Sequence, residues 1–451
     1  MDVARFTPAQ INRAILSLAV PAVLENLLGT AVFMVDTALI GRLNDSAALA
    51  AAGISSSFLN IAQSLFMALG IGALALVARA YGSGDSVRAR RLGAQAISVS
   101  LILAVLLTAV MIPLTRPFLT NMLRITDPVV IDQGTIYVQT ILTTSFLALP
   151  AITSANVMRA CGDTRTPMMI TLGVNVVNIV LASILIFGAG PIPALHIRGA
   201  GLATAIARGL GGLLSLWVLG RGLARVKINL ADLRVWHWPD VAQLWRLAWP
   251  NLLEQVIQRT GFIAFTGIVA TLGTAAMAAH NIADAVESLA FMPAWGFAIA
   301  AASLVGQSLG AQRVDIAKLT MRRSAVFTGL TMSVFFVGFV AFPRALASIF
   351  GGQGEVIDLA SVAVRISALE LFGLAFYMLY GSALRGAGDT RSPMLVSLIG
   401  VICFRVTAVW LLAIVLQLGL AGVWLGTAID WAGRGIIMYI MYRRGRWAMR
   451  V

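Results

Sequence analysis

The sequence predicts an all-α integral membrane protein, with twelve transmembrane helices arranged as two pseudo-symmetric six-helix bundles. Three observations lead there. The 451 residues are 59% hydrophobic and only 12% charged, with a mean hydropathy of +0.89; a soluble domain cannot bury that much apolar side chain, so the lipid bilayer is the expected solvent for most of it. The apolar residues fall into about twelve segments of spanning length. Motifs from the first half recur in the second at a near-constant offset.

The apolar segments lie near 14–41, 50–78, 92–115, 133–156, 168–188, 200–220, 244–272, 276–306, 320–342, 360–384, 393–416 and 420–442. Each can cross a hydrocarbon core of about 30 Å at about 1.5 Å per residue. Backbone groups in lipid must be satisfied within the segment, so the segments read as helices; period-two alternation, the mark of a barrel, is absent. The N-terminal "MDVARFTPAQINRAI" has no apolar stretch ending in a small-residue cleavage site, so the first span is expected to act as its own insertion signal. Most of the 33 Lys and Arg fall in alternate loops, whereas the opposite side holds only Arg42, Arg116, Arg124, Arg198, Arg344 and, just inside the tenth segment, Arg365. By the positive-inside rule both termini are cytoplasmic and the expected location is the inner cell membrane. Arg208, Arg259, Arg405 and Arg434 fall inside spans.

"VMRACGDTRTPMM" at 157–169 returns as "ALRGAGDTRSPML" at 383–395, and "LAVPAVLEN" at 18–26 returns as "LAWPNLLEQ" at 247–255. An even number of spans per half gives both halves the same orientation, so the repeats are parallel. The expected division is an N-terminal lobe over 1–220, a cytoplasmic linker over 221–243 and a C-terminal lobe over 244–451. The linker region carries Trp236, Trp238 and Trp245, residues suited to headgroup level.

Several classes are disfavoured. Cys161 and Cys403 stand far apart, and the three histidines make no zinc motif, so no disulfide framework and no metal centre is expected. The formal charge of +14 sits in short gaps between spans rather than along one helix, which argues against nucleic acid as a partner. There is no phosphate loop and no catalytic constellation in the spans, so neither an enzyme nor direct use of ATP is expected.

"MVDTALIG" in the first span, the two "GDTR-x-P" segments, "LVGQSLGA" at 304–311 and the ending "DWAGRG…YRRGRW" together resemble the multidrug and toxic compound extrusion (MATE) transporters over nearly the whole chain. The resemblance implies secondary active efflux of drugs or metabolites, driven by H+ or Na+ without another cofactor, through a monomer whose two lobes rock between inward- and outward-facing states. It points to the DinF-like, archaeal-type branch rather than to NorM. The alternative within the same superfamily is an exporter or flippase of a lipid-linked substrate, which calls for a cationic cavity and usually more spans.

Asp36 lies near the middle of the first span, where a carboxylate costs roughly 2.5–3.5 kcal/mol on insertion scales. That makes it a functional candidate, weighed against a packing role; in the resembled family the matching Asp couples cations. Glu25 lies about three turns earlier on the same face, about 16 Å away, either lining the cavity or reaching water. Asn175 and Asn178 in the fifth span face one way, as coupling ligands or as interhelical hydrogen-bonders. The family pattern places a second Asp four residues after Asn178, where this chain has Ala182. The coupling candidates are therefore Asp36, Asn178 and Asn175, with Asn156 and Thr204, and a single carboxylate leans the reading towards H+, with Na+ at Asp36 as the alternative. The repeat sets Phe265 opposite Asp36. Glu254, Gln258, Asp284 and Glu287 are substrate-cavity candidates because clustered acids attract cationic amphiphiles; an Arg259–Glu287 pair is the structural alternative. Met67 and Met292 suit promiscuous binding, though they suit lipid contact equally. Pro21 is either a bend point or a harmless first-turn residue. Gly162, Asp163, Gly388 and Asp389 are conformational candidates, Gly supplying a turn and Asp capping the next helix. Arg405, and Asp430 with Arg434, are expected to form ion pairs near a span end.

Overall fold

The computed structural model describes residues 7–43, 45–122, 125–229 and 231–449. Arg5, Arg124 and Arg450, which enter the orientation argument, lie outside them. The described chain is helical apart from turns and one isolated bridge, Ala189 to Ile192. The helices run α1 (Pro8–Gly41), α2 (Ser46–Gly82), α3 (Ser86–Pro117), α4 (Pro128–Leu142), α5 (Ser145–Ala160), α6 (Arg165–Phe187), α7 (His196–Arg221), α8 (Trp238–Ala270), α9 (Thr274–Gly310), α10 (Val314–Ala341), α11 (Pro343–Ile349), α12 (Glu355–Ser367), α13 (Leu371–Gly386), α14 (Arg391–Ile399), α15 (Thr407–Trp410) and α16 (Gly419–Arg443).

These supply the twelve expected rods. The fourth rod is α4 followed by α5, bent by 59° at Thr143 and Thr144. The tenth is α12 and α13, interrupted by a 3-10 turn over Ala368–Glu370. The eleventh runs through α14 and α15 and widens into π-helical turns at Gly400–Val406 and Leu411–Val415. Among the described residues nine helices are long and apolar enough to cross a membrane, ten with the bent α4–α5 rod. The α8 and α16 rods, which carry Glu254 with Arg259 and Asp430 with Arg434, are not among them.

Two compact units form. One holds Leu24–Val77 and Asp85–Arg246. Its apolar core gathers Phe66, Tyr137, Leu142, Ala182 and Ala203. The segment read as a cytoplasmic linker is fastened here. The Arg90 guanidinium donates twice to Asp232 at 2.6 Å, Arg91 donates to Asp240 at 2.8 Å, and the Ser98 hydroxyl donates to the Leu233 carbonyl at 2.8 Å. Trp236 and Trp238 stay exposed.

The other unit holds Met1–Val23, Ala78–Gly84 and Leu247–Val451. This grouping differs from a division at residue 220 in two segments, and packing explains both. The first half of α1 presents Ile11, Ala14, Ile15, Leu18 and Ala19 at helical spacing, and these join Ala294, Ala298 and Ala301 of α9 in one apolar core. The end of α2 crosses the end of α9 so closely that a Cβ at Gly82 would overlap the Gln307 backbone, and one at Gly310 would overlap that of Arg79. The grouping changes just past Pro21, which lies inside α1 rather than in its first turn. Proline there removes a helix hydrogen bond and permits a bend.

Candidate functional site

Asp36 is half-buried on α1. Its electrostatic neighbours are Arg208 of α7 and the buried Tyr137 of α4, whose phenol reaches Thr204. Thr204 also accepts from Asn178 Nδ2 at 3.3 Å, while the buried Asn178 Oδ1 has no partner among the described residues. Asn175 Nδ2 donates to the Leu28 carbonyl at 2.7 Å, which holds α6 against α1 two turns before Asp36. Ala182 is packed in the apolar core, so a buried methyl fills the position where a second acid was of interest. The group therefore offers one carboxylate, a hydroxyl and amide network, one orphaned carbonyl oxygen and a nearby guanidinium. Tyr137 and Arg208 were missing from the sequence-derived set. Arg208 carried a signal, as a charge inside a span, whereas Tyr137 in the fourth span carried none.

Asn156 belongs elsewhere. It lies one turn before Arg159 on α5, and a side chain at Gly70 of α2 would run into it. Arg159 Nη2 donates to Glu25 Oε1 at 2.6 Å, and both side chains are largely buried. The second half repeats the device, with Arg385 Nη2 donating to Glu254 Oε1 at 2.6 Å. Glu254 Oε1 also accepts from the Tyr377 hydroxyl at 2.8 Å, and Gln258 and Ser397 close round it at 3.4 and 3.3 Å. Glu25 and Glu254 thus sit in largely buried ion pairs, each anchored by the arginine just before a "GDTR" turn, and Gln258 joins the second through Glu254, Tyr377 and Ser397. The turns themselves match. Gly162 and Gly388 adopt φ of 79° and 82°, and Asp163 and Asp389 accept from the backbone N–H of Thr166 and Ser392 at 3.0 and 3.2 Å. Both features follow the turn-and-cap reading of the sequence.

The second half contains a cavity of about 210 Å3, lined among others by Asp284, Glu287, Glu370, Phe265, His280 and Arg405. Glu370 sits at the end of the 3-10 break, fully buried, with neither carboxylate oxygen hydrogen-bonded among the described residues. Arg405 donates to Asp430 at 2.6 Å, and Asp430 also binds Arg434; the expected ion pairs form, but at the middle of α16 rather than near a span end. The Arg405 guanidinium lies 4.7 Å from the Trp431 ring centroid and 5.7 Å from that of Phe265. It is Arg405, not Arg259, whose charge faces Asp284 and Glu287; Arg259 is exposed. His280 is buried between Phe265 and Trp424, at ring distances of 5.2 and 5.5 Å. Counting Asp284, Glu287, Glu370 and Asp430 against Arg405 and Arg434, the carboxylates outnumber the guanidiniums. Met292 is buried in α9 and does not line the cavity, where Phe291 does; Met67 is half-buried on α2.

The MatE family model matches residues 21–184 and again 250–411. The chain belongs to the MatE family. The double match falls on the two repeats. At the level of whole chains, the MatE protein is 30% identical over 443 residues to "Probable multidrug resistance protein NorM" of Thermotoga maritima, covering 98% of this chain and 94% of the relative. It is 27% identical to "Multidrug resistance protein MdtK" of Yersinia pestis, covering 96% and 95%. A MOP-superfamily transporter of Pyrococcus furiosus superposes with a TM-score of 0.90 at 21% identity, over 100% of this chain and 98% of that one. A mutant of the Vibrio cholerae MATE transporter VcmN gives 0.88 at 23%, over 97% of each. These structures share the fold. The chain is a multi-pass membrane transporter of a multidrug efflux family. The relatives carry NorM and MdtK names, which do not support the DinF-like branch expected from the motifs.

Proposed function

We propose that this MatE protein is a secondary active antiporter that exports cationic or amphiphilic small molecules in exchange for H+. The observation that carries the reading is the acidic, aromatic-walled cavity around Asp284, Glu287 and Glu370, where carboxylates outnumber guanidiniums inside the membrane-spanning bundle. A flexible, apolar cation is the ligand class that such walls recognise. The flippase alternative calls for a cationic cavity and finds none among the described residues.

Asp36 is the proposed coupling residue, with Thr204, Asn178 and Tyr137 as its companions. Proton coupling is favoured over Na+ because the group holds a single carboxylate: Ala182 removes the second, and a hard cation prefers several charged or carbonyl oxygens. Asn175 orders α1 and α6, and Pro21 supplies the bend that lets the two parts of α1 move separately during alternating access. The DinF-like assignment rests on the motif resemblance, Asp36 included, and stands against the names of the relatives. The inner membrane and cytoplasmic termini, supported by the loop charges, and a monomeric state, which rests on the family resemblance alone, complete the proposal.

The test is uptake of ethidium into inverted vesicles, with pH and Na+ gradients imposed separately. Uptake driven by the pH gradient alone is expected. If neither gradient drives uptake, the antiporter reading is wrong.

A further inference from the structure

A second cavity, about 320 Å3, opens on the flank of the first unit between α6 and α7. Its walls are Met169, Ile170 and Gly173 of α6 with Leu214 and Val218 of α7, and Arg165 closes one end. Met169 and Leu214 are strongly exposed, and a Cβ at Gly173 would meet nothing within 4 Å, so the groove is open along its side.

The two helices run antiparallel, and a Cβ at Gly211 would meet Val174, which fixes their register. At equal rise per residue that contact sets Arg165 level with Gly220 and Arg221. Leu214, Val218 and Arg221 follow at i, i+4 and i+7, so Arg221 continues the groove face of α7. The Arg221 guanidinium lies 5.8 Å from the ring of Trp217, itself half-exposed. Among the described residues no carboxylate pairs with Arg165 or Arg221. The efflux mechanism proposed above assigns a role to neither arginine, although Arg165 is the last residue of the first "GDTR".

We infer that this groove is a binding site for one anionic phospholipid, with its phosphate between Arg165 and Arg221 and an acyl chain along Met169, Ile170, Gly173, Leu214 and Val218. Charge complementarity selects the occupant: two unpaired guanidiniums and an interfacial tryptophan at the mouth of an apolar channel match an anionic headgroup with its tail. The end in question is also the one that carries the basic loops, where anionic lipid of the cytoplasmic leaflet is met. The inference is independent of the substrate and the coupling ion.

The test is native mass spectrometry of the full chain, delipidated and then titrated with dioleoyl phosphatidylglycerol or dioleoyl phosphatidylcholine. Phosphatidylglycerol is expected to bind more tightly, by about twenty-fivefold if each arginine adds about fivefold. R165Q with R221Q should reduce phosphatidylglycerol binding to the level of phosphatidylcholine. Gly173→Phe should weaken both lipids by filling the channel. Glycerol 1-phosphate should not compete. Equal binding of the two lipids by the unaltered protein overturns the inference without recourse to variants. Undiminished phosphatidylglycerol binding by a folded R165Q/R221Q protein overturns it as well, and competition by glycerol 1-phosphate replaces the lipid with a free phosphate.

Discussion

Replacing Arg385 by Met isolates the worth of the duplicated ion pair. Glu254 is 3% exposed and its Oε1 accepts from Arg385 at 2.6 Å and from Tyr377 at 2.8 Å. Methionine keeps the apolar stem of the arginine but leaves the carboxylate buried with only neutral donors. Removing one partner of a buried pair costs about 3–5 kcal/mol, because the remaining charge has lost its compensation. For a unit of this size about 1 kcal/mol moves the unfolding midpoint by about 2–4 °C, so Arg385→Met should lower it by roughly 6–20 °C in detergent. The rescue is diagnostic. Glu254→Gln in the Arg385→Met background removes the stranded charge and keeps an acceptor for Tyr377, so most of the loss should return. Arg159→Met should lose less, since Glu25 is more exposed, at 14% against 4% for the Glu254 side chain. A single variant that melts with the unaltered protein, or a double variant whose losses simply add, would refute the pairing as a buried charge pair.

Three further outcomes are expected. Asp36→Asn should abolish gradient-driven ethidium uptake while leaving the melting temperature unchanged; full uptake would transfer coupling to the acids of the second half. Gly310→Leu should destabilise by about 1–3 kcal/mol, because its side chain must enter the Arg79 backbone where α2 crosses α9; an unchanged unfolding midpoint would contradict that crossing. The Arg90 guanidinium beside Asp232 holds its carboxyl below the usual carboxylate value of 3.8. A depressed value means that the fastening of the linker to α3 is complete above that pH and is lost only as pH falls through the folded value. Hydrogen exchange over 231–240 should therefore show the same protection at pH 7 and pH 5, and Asp232→Asn should lower it at both.

The rods were legible because lipid imposes one rule on every segment: apolar length with internally satisfied backbone. The turns were legible because "GDTR" encodes its own geometry, a left-handed Gly and a capping Asp within four residues. Pairings across the chain were not. Nothing local tells Glu25 that its partner is Arg159, 134 positions away, so the carboxylate read as a cavity acid. Arg405 was legible as a member of some ion pair, but its partner Asp430 and its place over the Trp431 ring depend on packing that periodicity does not carry. The grouping of the first half of α1 with the second half of the chain was hidden for the same reason: a stripe of Ile, Ala and Leu fits many apolar faces, and only the alanine-lined face of α9 decides among them.

What the duplication kept and what it changed bears directly on mechanism. The Glu–Arg pair and the Gly-Asp turn occur in both halves with the same geometry. The break in the fourth rod of each half is kept too, since the offset of 226 that relates Arg159 to Arg385 also relates Thr144 to Glu370. At that shared break the side chains diverge. Thr144 donates to the Ala205 carbonyl at 2.7 Å and closes its own break, whereas Glu370 brings into a cavity a carboxylate with no donor among the described residues. The exchange runs the opposite way in the first rod of each half, where Asp36 is matched by Phe265, a ring against which His280 and Arg405 pack. Backbone devices that hold the rods in place were therefore retained, while acids were redistributed from the first rod in one half to the fourth rod, with Asp284 and Glu287, in the other. A small coupling ion needs one well-partnered carboxylate and little space, and an organic cation needs several acids and aromatic walls around a cavity. Two copies of one scaffold with the acids moved meet both needs, and the proposed division of labour between Asp36 and the Glu370 cavity follows from that redistribution.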